Sequence, residues 1–292
     1  MQAIWSFWSK PFHAKQGSTW LSDRHHLYST TLSLVCAMQH FNETILYTDD
    51  HGAELLIDKL QLPYKKVSTS LNDINEYDES WWTVGKLHAY SKQNKPFLHI
   101  DNDVYLWKAL PNHFKDATII GQNPEYFQSG SSWYQPEKFD SIIEARYWVP
   151  KELVWYREQK HRQMAVCCGI FGGYDTEFIR RYAKQALKLI DYSQSDKTYH
   201  PIYGDNLLIE QYFLSALVNF HQQSSCHNGK ECKSAYIFDS AETAFNPKFS
   251  TKAGFTHLIG GAKRNPKLLD RLEARILNDF PEYYERINSI TT

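Results

Sequence analysis

Over its first hundred residues the chain alternates short apolar runs with stretches in which apolar residues recur every three or four positions. That alternation restricts the fold more than any other feature. AIWSFW (3–8), ETILYTD (43–49), YKKVST (64–69) and PFLHID (96–101) read as strands. LYSTTLSLVCAMQHF (27–41), GAELLIDKL (52–60) and WTVGKLHAYSKQN (82–94) read as helices. Strands alternating with helices predict an α/β fold, a largely parallel sheet with helices on both faces. No repeat, low-complexity tract or Gly/Ser linker interrupts the sequence. We therefore expect one domain over residues 1–265 and a C-terminal helix within 266–292. The apolar periodicity of LLDRLEARILNDFPEYYERI suits packing of that helix on the domain or on a partner.

The 292 residues, 42% of them hydrophobic and 15% aromatic, suffice for a substantial core. With 32 basic and 33 acidic residues the formal charge is −1, which removes a global electrostatic argument for nucleic acid or an anionic membrane surface. Apolar runs fall short of a bilayer span, and MQAIWSFWSKPFHAK lacks the basic start and long apolar middle of a signal peptide. A cytoplasmic protein without a transmembrane segment is expected. Five cysteines do not make a disulfide framework in a chain of this length. CHNGKEC (226–232) has the wrong spacing for a zinc knuckle and reads as a loop.

There is no GxGxxG after the first strand and no GxxxxGK[ST] anywhere, so dinucleotide and P-loop readings lack their anchors. Another device is present in PFLHIDNDVYLW (96–107), where an apolar strand ends in two aspartates one residue apart. Residues two apart in an extended chain point the same way, so Asp101 and Asp103 face one point in space. A divalent cation is the natural occupant, and one held by carboxylates bridges a diphosphate while keeping room for other ligands. In open α/β sheets ligands bind beyond the carboxyl ends of the strands. WSKPF, YTDDHG and IDND should therefore gather at one rim.

Asp101-Asn102-Asp103, at the end of the fourth strand of a Rossmann-like half, resembles the DxD motif of the GT-A glycosyltransferases. WWTVGKLHAYSKQNKPFLHIDND (81–103) is similar to the glycogenin-like retaining enzymes, glycosyltransferase family 8, and the resemblance implies that Lys86 reaches the donor's phosphate or sugar. FTHLIGGAKRNP (255–266) resembles their HFxGxxKPW segment, with His257, Gly260 and Lys263 at the histidine, glycine and lysine. Arg264 and Asn265 stand where proline and tryptophan would be. By this resemblance Asp101, Asp103 and His257 hold manganese or magnesium, a nucleotide-diphosphate sugar, UDP-linked, completes the coordination, and Lys263 neutralises the departing diphosphate. The donor set suits such an ion, since two carboxylates and a neutral imidazole leave room for two phosphate oxygens.

MAVCCGIFGGYDTEFIRRY (164–182) resembles the family's NSG or NAG strand, with Cys168 replacing the asparagine or its neighbour. Cys168 and Gly169 are then walls beside the donor sugar. YGDNLLIEQYFLSAL (203–217) resembles the DQxLLN segment, with Asp205 and Asn206 at the aspartate and glutamine. Glu210 and Gln211, one turn on, share a face with Asn206 on a regular helix, and the resemblance makes all four candidates for holding acceptor or sugar hydroxyls.

The expected function is a metal-dependent hexosyl transfer from a nucleotide-diphosphate sugar to a carbohydrate, lipid or protein acceptor, as in bacterial polysaccharide biosynthesis. Retention of configuration follows from the resemblance; an inverting enzyme would need Asp205 or Glu210 as base. The rival from another class is a nucleotide-sugar or glycan-binding protein without turnover, to which the departures at Cys168, Arg264 and Asn265 give weight. A nucleotidyltransferase is the third reading, and WSKPFHAKQGS is a poor substitute for its glycine-rich loop. Two smaller questions stay open: whether Trp5, Trp8, Trp81 and Trp82 stack on ligand or fill the core, and whether Asp49 and Asp50 hold a ribose or base or cap a helix.

Overall fold

The computed structural model describes residues 1–14, 20–127, 134–144, 148–159, 163–195, 203–224 and 231–291. Nine strands are assigned among them: β1 (Gln2–Phe7), β2 (Thr44–Thr48), β3 (Lys66–Ser68), β4 (Phe97–Ile100), β5 (Val104–Leu106), β6 (Ile119–Phe127), β7 (Gln163–Gly173), β8 (Ser234–Tyr236) and β9 (Phe255–His257). Seven form a sheet in the order β3-β2-β1-β4-β7-β6-β8. Its pairings are parallel except those that β7 makes with β4 and β6. The largely parallel α/β sheet expected from the alternation is therefore present, with one antiparallel strand set into it.

Helices cover both faces. On one side lie α3 (Val84–Ser91), α4 (Thr176–Ser195) and α5 (Phe213–Ser224); on the other lie α2 (Asp23–Ala37), α6 (Pro266–Asp279) and α7 (Pro281–Thr291), while the short α1 (Ser9–His13) follows β1. Side chains alternate accordingly along β1: Ile4 joins the core with Val84 and Leu87, whereas Ala3, Trp5 and Phe7 join the core with Leu27, Leu32 and Ile276.

After Asp103 the chain returns to the core, where Val104 and Leu106 are buried, and β5 pairs antiparallel with β9 in a ribbon separate from the main sheet, which sets Val104 opposite His257. Two local expectations are revised. The helix predicted over 52–60 begins at Asp50 and continues as a π-helix over Glu54–Lys59. The single C-terminal helix is two, since Pro281 has no N–H to donate and its fixed φ suits a first helical turn. Both pack on α2: Tyr28 stacks on Tyr284 with ring centroids 5.6 Å apart, and Ile276 and Ile287 are fully buried. Among the described residues no helix is long and apolar enough to cross a membrane. Cys226 and His227 of the CHNGKEC segment lie outside the described residues.

Candidate metal and substrate site

Asp101 follows the last residue of β4, and its N–H donates to the Gly169 carbonyl on β7 at 2.9 Å. The turn through 101–103 is gripped from α2. Ser33 Oγ donates to the Asp101 carbonyl at 3.0 Å and Ser29 Oγ to the Asn102 carbonyl at 2.7 Å. Asn102 donates its side-chain amide to the Ser6 carbonyl on β1. On the far side of the turn the β5–β9 register brings His257 to Asp103, and Leu258 N–H donates to the Asp103 carbonyl at 2.9 Å. Ligand atoms of Asp101, Asp103 and His257 consequently lie within 4.8 Å of one another.

The donor set fits a divalent cation. His257 Nδ1 is 2.7 Å from Gln122 Oε1, an oxygen that can only accept, so Nδ1 carries the proton and Nε2 keeps its lone pair. That Nε2 lies 3.4 Å from Asp103 Oδ1. Asp101 Oδ1 is buried without a hydrogen bond, although Lys86 Nζ is 2.8 Å away; the lysine has hydrogen-bonding geometry to Oδ2, at 2.9 Å. The two carboxyls are shifted in opposite directions. Burial pushes Asp101 up, with repulsion from Asp103 and Glu210 adding to it and Lys86 opposing. Burial acts on Asp103 in the same sense, yet the Lys263 ammonium holds its carboxyl well below the usual range.

Two lysines serve this pair. Lys86, on α3, sits between Asp101 and Glu210, 2.9 Å from Glu210 Oε1, and those two carboxylates hold it protonated despite burial. Lys263 Nζ lies 2.6 Å from Asp103 Oδ2 and 5.7 Å from the centre of the Trp20 ring. Gly260, earlier in the same turn, has φ of +54° with open space around it, so its backbone rather than crowding asks for glycine. Asn265, at the position of the family's tryptophan, caps α6 through Leu268 N–H.

A cavity of about 660 Å³ opens over this cluster. Asp101, Asn102, Asp103, His257, Gly260 and Lys263 line it, together with Lys86, Gly169 and Gln211. Of the four tryptophans in question, Trp8 and Trp82 line it, whereas Trp5 and Trp81 are core. WSKPF and IDND meet there as expected. Asp49 stands behind, its carboxylate accepting from Ser9 N–H and Oγ and from Gly52 N–H, which makes it the helix cap.

Several assigned positions are corrected by their contacts. Cys168 is not a wall: side chains alternate along β7, so Cys167 and Gly169 face the cavity and Cys168 faces the opposite core, where burial pushes its thiol well up. Residues Leu208–Tyr212 form a π-helical segment; Asn206 and Glu210 share a face, turned towards Thr83 and Lys86 at α3, whereas Gln211 lies on another. Gln211 reaches the cavity and contacts Tyr134; Glu210 is fully buried against Lys86. Asn206 is pinned by Thr83 N–H and the Ser80 carbonyl just before α3, and Asp205 pairs with Lys138 at 2.6 Å. Neither lines the cavity.

Sequence reasoning missed Gln122, Glu125 and Tyr134. Gln122 and Glu125 stand in the polar middle of β6, GQNPE, which singles out neither, and Tyr134, joined to Glu125 by a 2.6 Å hydrogen bond, carries no signal either.

No curated protein sequence matches the chain. Among solved structures it is similar to that of the galactosyltransferase LgtC in complex with donor and acceptor sugar analogs, with 9% identity over 93% of this chain and 96% of that one and a TM-score of 0.42. A family model matches residues 1–290. The chain belongs to that family, DUF6734, a family of unknown function.

Proposed function

We propose that the chain is a glycosyltransferase of GT-A type, a hexosyltransferase that moves a sugar from a nucleotide-diphosphate donor, UDP-linked, to a carbohydrate, lipid or protein acceptor. One observation carries this reading: Asp101, Asp103 and His257 converge within 4.8 Å beside Lys263, at the floor of a cavity lined by aromatic side chains. Asp101, Asp103 and His257 would hold manganese or magnesium, which when bound supplies a Lewis acid to the donor's diphosphate. Lys263 adds a second positive charge for the departing diphosphate. Trp8, Trp20 and Phe12 line the cavity, and aromatic side chains are surfaces on which carbohydrates and nucleobases pack.

The bond from the sugar's anomeric carbon to the phosphate oxygen breaks and one to the acceptor oxygen forms. In a retaining transfer the departing phosphate oxygen takes the acceptor's proton. The contacts of the proposed alternative bases favour that course, because Asp205 is paired with Lys138 and Glu210 is fully buried. They also give the binding-protein alternative its best support, since Asp205, Asn206 and Glu210 bring nothing to the cavity.

Calorimetric titration of metal-stripped protein with UDP, with and without manganese, tests the reading. Binding that depends on manganese and disappears in Asp103→Ala is expected, followed by hydrolysis or transfer in a screen of UDP-sugars. A protein that binds no nucleotide in the presence of metal overturns it, and binding without turnover selects the alternative.

A further inference from the structure

Asp103 is committed twice. Its Oδ1 lies 3.4 Å from the ring nitrogen of His257 that offers a lone pair, while its Oδ2 lies 2.6 Å from the Lys263 ammonium. The same carboxylate is therefore both a ligand and a salt-bridge acceptor. Lys86 sits in the same relation to Asp101 but with a difference: Glu210 holds it from the other side at 2.9 Å, and the side chains of Lys86 and Glu210 are 11% and 0% exposed. Losing Asp101's charge to a cation still leaves Lys86 a buried counter-charge. Lys263 is more open, at 18%, and leans over the Trp20 ring on the wall of the cavity.

A divalent cation on Asp103 and the ammonium of Lys263 repel one another and draw on one carboxylate, in a buried setting where such terms are weakly screened. A diphosphate entering the cavity offers Lys263 a second anionic partner and takes it off Asp103. We infer that Lys263 is a coupling residue that occupies Asp103 against the cation and is drawn away by the nucleotide diphosphate, so that cation and diphosphate bind strongly only together. The inference rests on the proposed function for its second ligand, while its first half, competition between lysine and cation, stands on the Asp103 geometry alone. Coupling of this kind is reciprocal: whatever factor the diphosphate adds to cation affinity, the cation adds to diphosphate affinity.

The sign of the prediction separates this role from simple phosphate binding. Manganese is titrated without nucleotide into metal-stripped wild type, Lys263→Met and Lys263→Arg, followed by calorimetry and by the electron paramagnetic resonance signal of the free ion. The titrations are then repeated with saturating UDP. Lys263→Met is expected to bind manganese alone about tenfold or more tightly than wild type and to lose most of the gain that UDP confers, within the usual range of coupling factors. Lys263→Arg keeps the charge and stays near wild type on manganese alone. Equal or weaker manganese binding by Lys263→Met, in a variant whose circular dichroism matches wild type, overturns the inference, as does absence of manganese binding in all three. Tighter manganese binding in Lys263→Met with no UDP effect in wild type retains the competition at Asp103 and rejects the nucleotide as its release, which is failure of the proposed function and is read separately.

Discussion

Gly169 is the least conspicuous residue of the site and among the most constrained. A Cβ there would fall 2.3 Å from Gln122 Oε1 and 2.6 Å from His257 Nδ1, against the hydrogen bond that sets the histidine's tautomer. Gly169→Ala is therefore expected to lower manganese affinity by about 10- to 100-fold, the usual cost of disturbing a ligand's supporting contact, as read by metal titration. Glu125 lines the cavity and accepts from Tyr134. For a retaining enzyme, Glu125→Gln should reduce kcat by less than about tenfold, whereas a loss of about 10²-fold or more would identify the base of an inverting one. Asp101 and Asp103 were legible as two carboxylates one residue apart at a strand end, whereas His257 and Lys263 were legible only through the resemblance of FTHLIGGAKRNP to a known segment. Gln122 was not, since a lone glutamine in a strand declares its partner only when the histidine opposite it is placed. The choice of Cys167 over Cys168 needed the same knowledge: strand period two puts them on opposite faces, but which face borders the cavity depends on the strands and helices around it.

At the scale of elements, the strand and helix pattern of the first hundred residues carried over because apolar periodicity depends on burial, and these elements are buried where the pattern says except at the edge strand β3, whose Val67 is exposed. The pattern does not register the π-helical turn of Leu208–Tyr212, where Gln211 leaves the face shared by Asn206 and Glu210, or the ribbon that captures Val104–Leu106. The grip of α2 on the 101–103 turn is likewise a matter of two serines that look ordinary in a helix. Replacing both, Ser29→Ala with Ser33→Ala, should remove about 2–6 kcal/mol of stability in urea unfolding, because Ser33 also accepts from Trp5 Nε1 and Ser29 also bonds the Tyr105 hydroxyl, four hydrogen bonds each worth about 0.5–1.5 kcal/mol, and should weaken manganese binding at the same time. A change in stability without one in metal affinity would mean that the turn holds its shape unaided.

For the whole molecule, α6 and α7 are the elements whose standing matters most. Ile276 and Ile287 are fully buried, and Leu269 and Leu272 join them in the core that covers α2. Ile276→Ala is expected to cost about 2–5 kcal/mol in chemical denaturation, and a chain ending at 265 should expose that face of α2 and aggregate. A truncated protein that folds with unchanged stability would instead make residues 266–292 a separable appendage. The ribbon of β5 with β9 has a consequence in time as well as in space. It joins Val104 to His257 across about half of the 292 residues, and Leu258 to Asp103. Contacts so distant in sequence form late, because the loop between them must first be ordered. As the polypeptide leaves the ribosome, the first sheet strands are already available while the candidate site still lacks its imidazole. The partly made protein therefore carries two neighbouring acidic side chains well before the third candidate ligand has been synthesised.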